Sequence, residues 1–372
     1  MDSDKKLRFW KPGQRVASVD FFRGLTMFLL LAESTRLFRI LRDSENPVLH
    51  FLGVQLSHHS WNGLHFWDLI QPFFMFIVGV SMPFAFANRR NKGQSERDIF
   101  RHVLKRSFLL LLFGSWLYWI GPGHVVLRLQ NVLAQLAVTY FVTYLVIDKS
   151  YRFQILFSVF LLVITDLAYR YFWVEGFNHP WTPYENLGSY INNWLEGSDK
   201  TSIWASVNAI PTTAHTIWGA LCGSLLMTGK GSKEKIKILS MCGLLAMGIG
   251  YGLDSFHITP VIKKIATMSF VFASGGWAIL ALAFSYWLID VKKQIPGLSK
   301  FFIYVGANCI FIYLIAELGV GNILYDIFQP VFTSLFSGMN PELVGALISL
   351  SVWFSYWYIT YWLYKKRIFF KI

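Results

Sequence analysis

Residues 57–86 read SHHSWNGLHFWDLIQPFFMFIVGVSMPFAF, which places two imidazoles, His58 and His59, then Trp61 and Asn62, ahead of Asp68 and a long apolar run. A histidine whose ordinary pKa is about 6.5 can serve as general base or nucleophile at neutral pH. Asp68 can orient such a ring, or it can simply complement a helix N-terminus by about 0.3–1 kcal/mol. A second constellation lies upstream in RVASVDFFRGLTMFLLLAEST, where Asp20 and Arg23 share a helical face and can pair. Such a pair either has a function inside the membrane or pins one helix end to its neighbours. At about 100° per residue Ser34 continues that face and Glu33 is rotated away, and either can look into an outward cavity.

Further polar groups interrupt apolar runs: Asp166 and Arg170 at pairing distance along a helix, His215, Asn308 and Glu317, with Lys263 and Lys264 in TPVIKKIATMSF. An apolar chain tolerates them only where they face a bundle interior or a water-filled cavity. A polar cavity is therefore expected, without a decision between transport and catalysis. No GxxxxGK[ST], HExxH or paired-cysteine pattern occurs, so the expected metal set is none. GIGYG is read as helix packing, since no strand precedes it.

The elements that must position these residues are membrane helices. The 372 residues are 54% hydrophobic and only 15% charged, against about a quarter in soluble chains. The expected class is an all-α, polytopic membrane helical bundle with about ten spans, near 16–36, 65–87, 105–121, 129–147, 153–173, 209–228, 237–254, 266–289, 301–319 and 342–364. With both termini cytoplasmic, about 25 of the 34 Lys and Arg fall on the inner face. That distribution accounts for the net charge of +13, and no nucleic-acid partner is implied. Residues 1–15 read as a cytoplasmic tail without a cleavable signal, and 16–372 as a single transmembrane domain with outer loops at about 37–64 and 174–208. A turn is expected at GPGHVVLRLQ, and close helix approach at Gly219–Gly223 and Gly248–Gly252. Cys222, Cys242 and Cys309 read as small packing residues.

Taken together, SVDFFRG, HHSWNGLHFWDLIQPFFMFIVGVSM, PVIKKIATMSF and GANCIFIYLIAE resemble, in order along almost the whole chain, motifs of the transmembrane heparan-α-glucosaminide N-acetyltransferases and their bacterial relatives. The resemblance implies transfer of an acetyl group from cytoplasmic acetyl-CoA to an amino sugar or glycan on the far side of the membrane. It maps the family histidine to His58, with Asp68 to orient a histidine and Asn62 as a donor to the developing oxyanion. It implies substrate contacts at Ser34, Glu33, Trp61, His59, Lys263 and Asn308, with Asp20 and Arg23 on the coenzyme side. The family asparagine near the end of the first span falls on Ser34, and the arginine of Val-Leu-Gln-Arg is replaced by Gln135. Implied partners are acetyl-CoA as acyl donor, the acceptor, the lipid bilayer and, as one option, a second copy in a homodimer. The architecture reads as multi-pass in a bacterial cytoplasmic (inner) membrane, with the active site opening to the periplasm and aromatics of loop 174–208 available to stack on sugars. The rival reading is a secondary transporter of a small polar or sugar-like solute; no matching pair of broken spans in two halves supports it.

Overall fold

Helix α4 (Ile70–Asn91) is apolar on nearly every face, and the bundle is built around it. The structure is a computed structural model that describes residues 16–119, 128–196 and 202–370. The expected tail at 1–15 and most of the turn at GPGHVVLRLQ lie outside the described residues. Fifteen α-helices are described. Before α4 come α1 (Ala17–Ala32), α2 (Leu37–Arg42) and α3 (Pro47–Gln55). After it follow α5 (Glu96–Trp119), α6 (Val132–Val146), α7 (Tyr151–Arg170), α8 (Leu187–Glu196), α9 (Ala209–Met227), α10 (Ser232–Ser255) and α11 (Met268–Tyr286). The last four are α12 (Pro296–Gly306), α13 (Cys309–Glu317), α14 (Val320–Leu335) and α15 (Pro341–Lys365).

The class is all-α and polytopic. Among the described residues five helices are long and apolar enough to cross a membrane: α4 with the turn before it, α7, α10, α11 and α15. A sixth span results if α12 and α13, bent by 66° at their junction, cross as one. The other four expected spans are helical but short or polar. At 1.5 Å per residue the 15 residues of α6 reach about 22 Å, less than a hydrocarbon core of about 30 Å. Helix α1 stops at Ala32, α5 opens on charged turns, and α9 carries threonines and a histidine on buried faces. The loops are also more structured than expected, since 37–64 contains α2 and α3 and 174–208 contains α8.

Two faces of α4 feed two apolar clusters. Phe73, Phe76, Ile77 and Val80 pack with Ala214, Ile217 and Phe270, while Phe74, Val78 and Met82 pack with Leu136, Tyr140, Ile312 and Tyr356. Contact between α4 and α9 depends on missing side chains. A Cβ on Gly219 would lie 2.1 Å from the Phe76 carbonyl oxygen, one on Gly223 2.3 Å from that of Val80, and one on Gly79 2.1 Å from that of Thr216. The expectation for Gly248–Gly252 is corrected, because both face open space. On α10 the close approach is at Gly250, where a Cβ would meet the Ala273 nitrogen at 2.3 Å. Cys242 is exposed on the same helix, unlike the buried Cys222 and Cys309.

Helix ends set the two poles of the bundle. Beyond α11 a π-helical turn (Trp287–Val291) brings Asp290 to the start of α1, where it accepts from the Ala17 and Ser18 amides, each at 3.1 Å. This carboxylate satisfies otherwise orphaned amides at the positive helix end. At the end of α4, Arg90 bridges Glu96 at 2.7 Å and Asp148 at 2.6 Å. At the opposite pole the segments 57–65, 202–208 and 259–267 are laced together. Gly63 donates to the Val261 carbonyl at 2.8 Å, Ala205 to that of Lys264 at 2.9 Å, and Thr267 caps α11 while holding the Pro260 carbonyl at 2.8 Å.

Candidate functional site

His58 meets Asp68 at this laced pole. Its Nδ1 lies 2.9 Å from Asp68 Oδ1, and the other carboxylate oxygen accepts from the amides of His59 at 3.1 Å and His65 at 2.9 Å. The short helical turn Phe66–Leu69 that enters α4 thus fixes the carboxylate, and the carboxylate fixes the ring. A carboxylate with 1% side-chain exposure demands compensation. Lys263 supplies it: Nζ is 3.5 Å from Asp68 Oδ1 and 3.2 Å from His58 Nδ1. Since Asp68 accepts the Nδ1 proton, His58 Nε2 is left as the basic nitrogen.

That ring lines a cavity of about 180 Å³. Glu33 and Lys263 share it with His58, and Gln71, Tyr118, Asn131, Trp204, Tyr313 and Glu317 complete most of the polar and aromatic wall. His58 Nε2 is 3.9 Å from Glu33 Oε1, and the ring meets Trp204 edge-on at 5.1 Å between centroids. Asn131 braces the far wall: its Oδ1 caps α6 through the Leu133 amide at 2.8 Å, and its Nδ2 donates to Tyr313 Oη at 2.9 Å. Gln71 donates to Gln135 at 2.9 Å, which extends the polar lining into the bundle. Lys263 lies outside the membrane helices, and burial pushes its ammonium down to about 8 against the opposing pull of Asp68 and Glu33.

The remaining expected residues lie elsewhere. Asn62 is exposed and pairs through its backbone with Ile262. Trp61 donates to the Trp181 carbonyl at 2.7 Å and packs against Tyr169 and Ile262. His59 turns its ring to His65 at 4.7 Å; burial and then His65 hold its pKa below the ordinary value. Gly63 makes that turn feasible, with φ of +141° and no Cβ to strike the His59 ring. Ser34 donates to the Leu31 carbonyl at 2.9 Å, and its own carbonyl faces Gly321 of α14. Of the two residues that could look into an outward cavity, Glu33 lines it; the 100° spacing no longer applies there because α1 gives way to a 3₁₀ turn (Glu33–Thr35). Asp20 and Arg23 do pair, about 15–20 Å along α1 from Glu33. Asn308 is fully buried at the α12–α13 bend, where Nδ2 donates to the Ile368 carbonyl at 3.1 Å and Oδ1 accepts from the Phe370 amide at 3.0 Å.

Trp204, one of the loop 174–208 aromatics expected to stack on sugars, does line the cavity. Gln71, Tyr118, Asn131 and Tyr313 are not singled out from sequence. Gln71 has a usable signal, a lone amide at the start of an apolar run. The tyrosines have none, as their type is ordinary near membrane boundaries.

No family model matches the chain. Among curated proteins it is 24% identical over 439 aligned residues to heparan-alpha-glucosaminide N-acetyltransferase of Homo sapiens, covering 100% of this chain and 62% of that protein. It is 23% identical over 424 residues to the Mus musculus protein of the same name, covering 96% of the chain and 60% of the relative. The chain thus spans about three fifths of the length of the relatives it matches. Along its whole length the chain is a distant homologue of heparan-alpha-glucosaminide N-acetyltransferase.

Proposed function

We propose that this protein is a membrane acyltransferase that carries an acetyl group from acetyl-CoA to an amine, with His58 as general base. The observation that carries the reading is the His58–Asp68 contact of 2.9 Å in a ring that lines the cavity. Asp68 holds the proton on Nδ1 and stabilises the imidazolium as it forms. Nε2 removes a proton from the acceptor nitrogen as that nitrogen bonds to the acyl carbon, and returns it to the thiolate as the carbon–sulfur bond breaks. The thioester supplies an activated acyl carbon. General-base assistance of this kind is worth about 10²–10⁴-fold in rate.

The acceptor we favour is an amino sugar or a glycan bearing one. A carboxylate at Glu33 draws in the acceptor ammonium and takes its first proton, so that the nitrogen attacks as the free amine, and Trp204, Tyr118 and Tyr313 offer faces for a sugar ring. We place the basic pole, with Arg89, Arg90, Lys149 and Lys230, in the cytoplasm of a bacterial cell, and the cavity at the opposite membrane face. The test is acetyl transfer from labelled acetyl-CoA to glucosamine by reconstituted protein, with glucose as the control acceptor. His58→Ala and Asp68→Asn are expected to lower kcat at least 100-fold while the solubilised protein stays monodisperse. A folded His58→Ala variant that transfers at the wild-type rate would remove the assignment.

A further inference from the structure

Behind Lys263 lies a second, much smaller void of about 10 Å³, lined by Gln71, Asn208, Thr212, His215 and Lys263 together with apolar neighbours. It shares Gln71 and Lys263 with the large cavity. Two of its lining residues carry buried polar atoms without a hydrogen-bond partner, His215 Nδ1 and Asn208 Oδ1. The residues themselves are 0% and 4% exposed.

The hydrogen-bond inventory fixes what both atoms need. With the Ser274 Oγ proton on the Phe270 carbonyl at 2.6 Å, that oxygen accepts from His215 Nε2 at 2.9 Å. In that tautomer the His215 proton sits on Nε2, and Nδ1 presents a lone pair. Asn208 Nδ2 donates to the Lys264 carbonyl at 2.9 Å, which leaves Oδ1 as the acceptor. Both acceptors belong to residues that line one void, and a buried acceptor left unsatisfied is costly. The space matches roughly one water-sized sphere. A water has two protons for the two acceptors and an oxygen that can accept from the Lys263 ammonium. A bare cation in that place would be repelled by Lys263.

We propose that this void holds one structural water, which donates to His215 Nδ1 and Asn208 Oδ1 and accepts from Lys263 Nζ. Through it, His215 acts as a positioning residue. Lys263 is then held from behind as well as by Asp68, and the His58–Asp68 pair keeps its alignment. The functional part rests on the acyltransferase reading above; the water itself does not.

A structure of the reconstituted protein at better than about 2 Å resolution is the direct test. One ordered density within hydrogen-bond distance (about 2.7–3.2 Å) of all three atoms is expected. A dry void, or density touching Lys263 alone, overturns the proposal. For the positioning role, His215→Leu should lower kcat about tenfold with KM unchanged, and His215→Gln, which keeps an acceptor oxygen, should recover to within about twofold. A wild-type kcat in His215→Leu overturns the positioning role. Should His215→Leu fail to fold, the density in the unaltered protein still decides. Absence of acetyl transfer in the wild type would sink the acyltransferase reading and leave the water to the structural test.

Discussion

The two nitrogens of His58 face different surroundings, and the difference comes from one carboxylate. Asp68 combines a turn of helix, two backbone amides, an imidazole and a buried ammonium, so a change at any of them reaches the ring. Lys263 gives this a pH signature. Unfolded, a lysine titrates near ~10.4; in the fold burial brings Lys263 down to about 8. Between those values the unfolded chain binds more protons, so this group makes the folded state more stable as pH rises, whereas below about 8 its cost is constant. Melting curves in detergent at pH 7.5 and 9.5 should therefore show the wild type gaining on Lys263→Met at the higher pH. A gain at the lower pH would refute the burial of this ammonium. At this scale the sequence made His58, Asp68, Glu33 and Lys263 legible as candidates, by residue type and motif. It was silent about Tyr313, which reaches the same cavity from a distant point along the chain and leaves no local pattern, and it offered Trp204 only as one of several aromatics in loop 174–208. Asn62, Trp61 and Asn308 have the right chemistry for a site, yet their polar atoms or backbones are engaged in holding loops together.

Among the elements, α4 matters most, because the Trp67–Asp68 turn leads into it, its first turn carries Gln71, and its seat against α9 admits no side chain at Gly79. Gly79→Val would place a Cβ about 2.1 Å from the Thr216 carbonyl and force the two helices apart. Overpacking of this kind usually costs about 1–3 kcal/mol, and more where backbone must move. Size-exclusion profiles should show Gly79→Val aggregated or lost, and Gly248→Val indistinguishable from wild type because its Cβ points into open space. A well-behaved Gly79→Val protein would mean that the α4–α9 contact is looser than described. Hydropathy located these helices well, since burial and membrane insertion both demand apolar runs. It does not fix the number of membrane crossings, as a short apolar helix such as α6 and a longer span have the same composition. Nor could glycine spacing tell Gly248–Gly252 from Gly219–Gly223, because a small-residue pair indicates close approach only if a partner helix lies on that side.

For the whole molecule, the uneven distribution of basic residues makes the orientation testable. Cysteines introduced at Gly231, in the α9–α10 connection, and at Asp43, near the cavity pole, should react with a membrane-impermeant maleimide from opposite sides of sealed vesicles. Gly231→Cys should be labelled in inside-out preparations and Asp43→Cys in right-side-out ones. Labelling of both from the same side would invalidate the two-pole arrangement, and the reverse pattern would invert the proposed route of the donor.

Asn308 ties residues that come after every helix of the bundle to the bend between α12 and α13, and α13 carries Tyr313 and Glu317. During synthesis that wall therefore stays unbraced until Ile368 and Phe370 have left the ribosome. A chain cut short before these residues would leave the bend with an unsatisfied buried amide.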